Sequence, residues 1–139
     1  MRNVAANLRF RTPGQGLMEI TGEVRSWLAS QHVTTGLLTL FCRHTSASLI
    51  VQENAARAVR TDLEKYFASI APEDPDRYEH HDEGADDMPA HIRTALTGVS
   101  VSIPVSAGQI ALGTWQGIYL FEHRRRAHER EVALHLIGE

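Results

Sequence analysis

The stretch VSVSIPVSAGQIALGTWQGIYLFEH, from Val99 to His123, gives the strongest indication of the fold. Apolar and polar residues alternate along VSVSIPV, Ala107-Gly108 is a turn signal, and TWQGIYLFEH has the composition of a further strand. A charged turn follows, and then EVALHLI, which is again typical of a strand. Strands joined by short turns pair antiparallel, so the C-terminal part predicts a mainly antiparallel sheet.

The N-terminal half adds more strands and two helices. LLTLFCR, Leu37–Arg43, is apolar on both faces, which predicts a central strand. A helix is expected after Thr21, because Val24, Trp27 and Leu28 would share one face. The remaining predicted elements are the strands VAANLRFRT, LMEIT and HTSASLIVQENA and a helix from about Ala55 to Phe67. The predicted order is β-β-α-β-β-α-loop-α-β-β-β-β, an α+β fold.

Length and composition limit the classes of protein. The chain has 139 residues, 42% of them hydrophobic, which suits a single domain over 1–139. A net charge of -3 gives no reason to expect nucleic acid, and the single Cys42 excludes an intramolecular disulfide. No stretch is long and apolar enough to span a membrane, and the N-terminus lacks the apolar region of a signal peptide. We expect a cytoplasmic protein.

The segment DDMPAHIRTALTG, Asp86–Gly98, predicts a third helix with a candidate site at its start. Asp86 fits the N-cap, and Gly98 ends the helix. Asp87 and His91 lie four residues apart, so their Cβ atoms are roughly 5–6 Å apart on one face. A carboxylate there can orient the imidazole or share a divalent cation with it, although an acid in the first turn is also ordinary helix chemistry. The residues predicted to face inward are Met88, Ile92 and Ala95.

The loop before this helix, SIAPEDPDRYEHHDEGAD, is long for so small a domain, which favours a functional or interface role. His80 and His81 could bind metal or could be solvated loop residues. We take His81 as the candidate third metal ligand, beside Asp87 and His91.

RHTSAS, Arg43–Ser48, places a histidine beside small hydroxyl residues. Small side chains allow a ligand to approach, and hydroxyl groups can hold phosphate oxygens. The alternative is that these residues face a helix or a neighbouring subunit. His44 and Ser46 share a face, but no G-x-S-x-G nucleophile elbow is present.

The strand that contains Gln116 to His123 has two different faces. Alternation places Gln116 and Glu122 on one face and Trp115, Tyr119 and His123 on the other. Glu122 and His123 can therefore line one pocket only if the strand bulges or a second subunit contributes. The following Arg124-Arg125-Arg126 run could bind phosphate or could form a hairpin tip.

Taken together, HTSASLIVQENA, DDMPAHI, SVSIPVSAGQIALGTWQGIYLFEHR and the later Arg130 resemble the YjbQ family, named as secondary thiamine-phosphate synthases. The resemblance covers nearly the whole chain. The family's motif positions fall on His44, Thr45, Ser46, Asn54, Asp87, Pro89, His91, Gly113, Thr114, Trp115, Gln116, Glu122, His123 and Arg124. The resemblance implies an α+β fold with a β-sandwich or half-barrel sheet and two to three helices, assembled as a homotrimer.

The activity that the resemblance implies is transfer: a pyrimidine pyrophosphate is joined to a thiazole phosphate and pyrophosphate leaves. A divalent metal ion, Mg²⁺ or Zn²⁺, is the expected cofactor, and a small phosphorylated compound the expected substrate. The candidate catalytic residues are His44, Asp87, His91 and His123. The candidate substrate-binding residues are Thr45, Ser46, Trp115, Gln116, Glu122 and Arg124. Two alternatives stay open: metal-assisted hydrolysis of a phosphate or small ester, and a trimer that binds metal or a small ligand without catalysis.

Overall fold

The α+β architecture is confirmed by the computed structural model, which describes all of residues 1–139. The strands are β1 (Arg2–Thr12), β2 (Gly16–Glu19), β3 (Gly36–Cys42), β4 (Ala47–Glu53), β5 (Ser100–Ser106), β6 (Gln109–Ile110), β7 (Gln116–Glu122) and β8 (His128–Gly138). The helices are α1 (Thr21–Ala29), α2 (Arg57–Ile70) and α3 (Asp87–Thr97), with a short 3₁₀ turn at Pro75–Arg77. None of these helices has the length and apolar character that a membrane crossing requires.

The strands form two antiparallel sheets that face each other. The larger sheet has the order β1-β8-β3-β5-β6, and the smaller has the order β2-β7-β4. β1 and β8 pair along their whole length, from Arg2 opposite Gly138 to Thr12 opposite His128. Because side chains alternate across a strand, each sheet turns one apolar face toward the other, and the core lies between them. Leu38, Leu136 and Leu120 are among its fully buried residues.

Helices α2 and α3 cover the other face of the smaller sheet. Phe67 of α2 packs edge-on against Phe121 of β7, with ring centroids 5.5 Å apart. Helix α3 packs against β4. This arrangement brings the start of α3 to the C-terminal end of β7, where Arg124 contacts Asp87.

The outer face of the larger sheet carries exposed apolar side chains. β3 lies between β8 and β5, as expected for a central strand. Its inward residues are in the core, but Leu37 is 42% exposed and Phe41 is 47% exposed. Ile137, which pairs with Leu37, is 40% exposed. Contacts within one chain therefore explain the apolar residues on the inner face of β3, but not Leu37 and Phe41 on its outer face.

Helix α3 keeps its predicted ends but not its predicted inward face. It ends at Gly98, which has a positive φ of 91°. The predicted inward set of Met88, Ile92 and Ala95 is wrong, because the buried residues are Asp87, Pro89, Ala90, Arg93 and Thr94. The pattern rule assumes that charged residues point outward, whereas Asp87 is buried against the guanidinium of Arg124.

Candidate metal centre and its cleft

Asp87 is the centre of the candidate site. Its side chain begins α3 and is only 3% exposed. Oδ2 lies 2.6 Å from His80 Nε2 and 3.2 Å from His91 Nε2. The three ligand-type atoms of His80, Asp87 and His91 lie within 4.8 Å of one another, which is the spacing of a shared cation site.

The orientation of His91 suits a metal ligand. Its Nδ1 lies 2.9 Å from the carbonyl oxygen of Thr45. A carbonyl only accepts, so Nδ1 carries a proton, and in the neutral ring Nε2 presents a lone pair to Asp87 Oδ2. Two acceptors face each other there, and a proton or a cation between them relieves the repulsion. Metal-binding imidazoles usually donate their other N–H to a carbonyl or carboxylate in this way.

The charges at the centre favour an ionised Asp87. Burial alone raises the pKa of Asp87, but the hydrogen bond from His80 and the charges of His91 and Arg124 outweigh it and lower the pKa. The same hydrogen bond to Asp87 raises the pKa of His80, against a smaller effect of burial. A proton on His80 therefore competes with a cation, and cation binding should strengthen as the pH rises.

Arg124 holds the centre together and is not free to bind substrate. Its Nε donates to Asp86 Oδ2 at 2.9 Å and its Nη1 to Asp87 Oδ1 at 2.7 Å. Its Nη2 donates to the carbonyl of Glu83 at 2.9 Å. The predicted role of Arg124 in binding substrate is therefore replaced by a positioning role. Asp86, the predicted N-cap, makes no capping hydrogen bond because its carboxylate binds Arg124.

His80, and not His81, completes the cluster. His81 was the predicted ligand, but it is exposed and takes no part in the cluster. His80 Nε2 also lies 3.1 Å from Glu83 Oε2. The loop has no periodicity, so alternation could not tell which of two adjacent histidines turns toward α3.

A cleft of about 1060 Å³ adjoins the centre and collects four of the predicted residues. His44, Thr45, Ser46 and His91 line it, together with Phe41, Thr94 and Arg130 among others. No aspartate or glutamate is among the lining residues. The two arginines that line the cleft, Arg43 and Arg130, pair with Glu131 and Glu122, which lie behind the lining. The cleft therefore offers hydrogen-bond donors to an anionic ligand more than a large positive charge.

Glu122, a predicted substrate-binding residue, is 1% exposed and fully engaged. Its Oε1 accepts from Thr12 Oγ1 at 2.6 Å and from Arg130 Nε at 2.8 Å. Its Oε2 accepts from Arg130 Nη2 and from the backbone amides of His123 and Arg124. Burial raises the pKa of Glu122, but the hydrogen bonds from Arg130 and Thr12 outweigh it and lower the pKa. Glu122 positions Arg130 and does not reach a ligand.

His123, a predicted catalytic residue, is fully buried on the other face of β7 and does not line the cleft. Its Nε2 lies 2.9 Å from Ser48 Oγ, and the hydroxyl groups of Ser48 and Thr97 are 2.6 Å apart. Burial and nearby Arg93 lower the pKa of His123 to about 3. The ring shares the face of Tyr119 and Phe121 as alternation predicted, and that face is covered by helices.

Trp115 and Gln116 lie at the opposite end of β7 from Glu122. A strand rises about 3.3 Å per residue, so Gln116 and Glu122 are roughly 20 Å apart. Trp115 precedes the strand and is 63% exposed, while Gln116 Oε1 accepts from the amide of Gly113 at 2.8 Å. Neither residue lines the cleft of its own chain, although both are candidate substrate-binding residues.

Two buried polar side chains that the predicted site residues do not include also line the cleft: Thr94 and Arg130. Arg130 is 4% exposed, and Thr94 is 7% exposed. Thr94 lies three residues after His91, which places both on neighbouring parts of one helix face and is a signal that the sequence contains. Arg130 is placed by its bond to Glu122, which depends on how β7 and β8 meet in the folded chain.

Comparison with known proteins gives consistent matches. A profile of the family described as "UPF0047 protein YjbQ-like" matches residues 6–139. The UPF0047 protein sll1880 of Synechocystis is 53% identical over 132 residues, which cover 95% of this chain and 90% of that protein. The UPF0047 protein YjbQ of Escherichia coli O157:H7 is 44% identical and covers 95% of this chain and 96% of its own.

A solved structure also matches the fold of this chain. The conserved hypothetical protein TT1486 of Thermus thermophilus superimposes with a TM-score of 0.85 at 35% identity, over 95% of this chain and 99% of that one. The names of the two sequence relatives state a family and no reaction, and the name of the Thermus protein states neither.

Proposed function

This chain belongs to the UPF0047 (YjbQ-like) family, and we propose that it is a divalent-metal-dependent enzyme acting on a small phosphorylated substrate. The first candidate reaction is transfer of the thiamine-phosphate synthase type. The observation that carries the proposal is the cluster of His80, Asp87 and His91 beside a cleft that has basic groups and no acid.

The donor set fits a transition-metal ion or zinc better than magnesium. Two imidazole nitrogens and one carboxylate oxygen resemble the three-ligand sites of catalytic zinc, whereas Mg²⁺ prefers oxygen ligands and retained waters. His80, Asp87 and His91 would hold the ion. A bound cation would neutralise charge that develops on a phosphate leaving group.

The residues of the cleft suit the transfer reaction. A C–O bond to pyrophosphate breaks, a C–N bond to the thiazole forms, and the pyrophosphate leaves with its negative charge. In the proposed reaction His44, Ser46 and Arg130 meet phosphate oxygens, and the support for this role is that they line the cleft beside His91. Phe41 provides a flat apolar wall for a planar ring.

Metal-assisted hydrolysis is the second candidate, and the openness of the cleft favours it. Phe41, on its wall, is 47% exposed, and no element of this chain covers the cleft. Transfer of a carbon group to the thiazole nitrogen benefits from exclusion of water, and a cleft that the single chain leaves open to solvent allows water to compete.

The test is an assay with the pyrimidine pyrophosphate, in the presence and in the absence of the thiazole phosphate. The protein is first stripped of metal with EDTA, and Zn²⁺, Mg²⁺ or Mn²⁺ is then added back. Thiamine phosphate formed only with the metal would support transfer, and pyrophosphate released without the thiazole would support hydrolysis. His80→Ala should abolish metal binding and turnover, since loss of a ligand should exceed the 10–100-fold typical of outer-shell changes.

The matched control is His81→Ala, which removes the adjacent exposed histidine and should leave both properties unchanged. Equal loss in the two variants, or full activity in His80→Ala, would contradict the proposed centre. A protein that binds metal without any turnover would be a binding protein, and the enzymatic proposal would fail.

A further inference from the structure

The hydroxyl group of Thr94 is buried without a partner. Thr94 is 7% exposed, and its Oγ1 makes no hydrogen bond. Threonines in helices often donate to the carbonyl four residues earlier, as Thr97 does to Arg93 and Thr61 does to Arg57. Thr94 does not, although it lines the cleft. A buried hydroxyl without a partner is unfavourable, which points to a ligand that supplies one.

Arg130 offers a second unused donor to the same cleft. It is 4% exposed and lines the cleft. Nε and Nη2 are bound by Glu122 and Ser46, and Nη1 has no hydrogen-bond partner in the protein. Glu122 thus fixes the guanidinium while leaving one edge available.

His44 offers a third unused hydrogen-bond donor to the cleft. Its Nε2 accepts from the backbone amide of Glu131 at 2.7 Å, so the neutral ring carries its proton on Nδ1. Nδ1 has no hydrogen-bond partner in the protein. Burial lowers the pKa of His44, which favours this neutral, donating form.

From these three donors and the hydroxyl of Ser46 we infer that the cleft contains a phosphoryl-binding subsite. Arg130 contacts the ligand directly, and the hydroxyl of Thr94, which is buried in the unliganded protein, turns toward the ligand by rotation about χ1. The tetrahedral phosphoryl group has several acceptor oxygens, which match donors converging from α3, β8 and the residues before β4. This inference deepens the proposed function, since it places the phosphoryl group of the substrate one helical turn from His91.

The test measures binding of inorganic phosphate and of pyrophosphate to the full-length protein by calorimetry, in EDTA so that metal plays no part. Thr94→Val replaces the hydroxyl by a methyl group of similar size. We expect about tenfold weaker phosphate binding, as is typical for loss of a hydrogen bond to a charged group. We also expect an unchanged or higher melting temperature, because an unpartnered buried hydroxyl has been removed.

Thr61→Val is the matched control, because this residue is exposed on α2 and should not affect binding. Ser46→Ala should also weaken phosphate binding. Acetate in place of phosphate separates a phosphoryl subsite from a general carboxylate site, and equal binding of both would overturn the inference. Unchanged phosphate binding in Thr94→Val, or no phosphate binding by the unaltered protein, would also overturn it.

The phosphate-binding result does not depend on the result of the enzyme assay. Phosphate binding that depends on Thr94, in a protein without synthase or hydrolase activity, would support the subsite and refute the proposed function. Metal-dependent turnover that is unchanged in Thr94→Val, with phosphate binding also unchanged, would refute the subsite alone.

Discussion

At the scale of single residues, Asp87 and His123 are both buried, yet they have opposite roles. Asp87 gathers two histidines and an arginine around an ionised carboxylate. His123 is held neutral, with Nε2 bonded to Ser48 and Nδ1 without a partner. The first is the centre of the candidate cation site, and the second belongs to the packing beneath α3.

The burial of His123 predicts a loss of stability in acid. Its pKa is about 3 in the folded protein, below the ordinary value of 6.5. Between these pH values the unfolded chain binds a proton that the folded chain does not. Stability from this group is therefore complete above pH 6.5 and is lost as the pH falls toward 3, at about 1.4 kcal/mol per pH unit.

Urea unfolding at pH 7 and at pH 4.5 measures this effect. The unaltered protein should lose about 3 kcal/mol more than His123→Gln across this interval. His32→Gln, a change at an exposed histidine, should behave like the unaltered protein. Equal losses in the unaltered protein and His123→Gln would show that His123 is protonated in the fold.

At the scale of elements, the start of α3 and the turn after β7 form one unit through Arg124. The guanidinium joins the two carboxylates at the helix start to the carbonyl of Glu83 in the loop. This bond network fixes Asp87 Oδ1, so that Oδ2 remains directed toward the histidines. It also anchors the loop that carries His80.

Arg124→Gln should therefore weaken zinc binding by about 10–100-fold, as is typical when a residue that orients a ligand is removed. The exposed Arg126 makes only backbone contacts to its neighbours, so Arg126→Gln should leave binding unchanged. Calorimetric titration with zinc measures both. Arg124→Lys should recover part of the affinity, whereas a purely structural role would change melting temperature and leave zinc affinity intact.

The sequence predicted those features of the site that a single local rule, such as capping or helical spacing, determines. Capping predicted the ends of α3 within a residue, and helical spacing predicted that Asp87 and His91 share a face. Alternation placed His123 with Tyr119 but could not show that helices cover that face. The choice of His80 over His81 depends on the path of an irregular loop, which no periodicity encodes. The burial of Glu122 by Arg130 depends on how β7 and β8 meet, and the lack of a partner for Thr94 depends on the packing around α3.

At the scale of the whole molecule, the uncovered apolar face of the larger sheet bears on the expected homotrimer. Leu37 and Ile137 are paired neighbours on this face, and Phe41 lies four residues along β3 on the same face. Exposed apolar residues grouped in this way are typical of interaction surfaces. The trimer implied by the family resemblance therefore stays a prediction, with this face as the surface that would be covered.

Light scattering after size-exclusion chromatography tests the prediction. A trimer would have about three times the chain mass of 15.5 kDa. Leu37→Ser combined with Ile137→Ser should shift the protein toward monomer, because both changes place hydroxyl groups in the expected interface. Tyr66→Ser, an exposed change on α2, should not. A monomeric unaltered protein would contradict the prediction.

Anomalous diffraction from a crystal soaked with zinc is the most direct test of the cluster at the start of α3. We predict one strong zinc peak at roughly 2.0–2.2 Å from His80 Nε2, Asp87 Oδ2 and His91 Nε2. A peak at His81 instead, or no peak while the three side chains keep their contacts, would contradict the account.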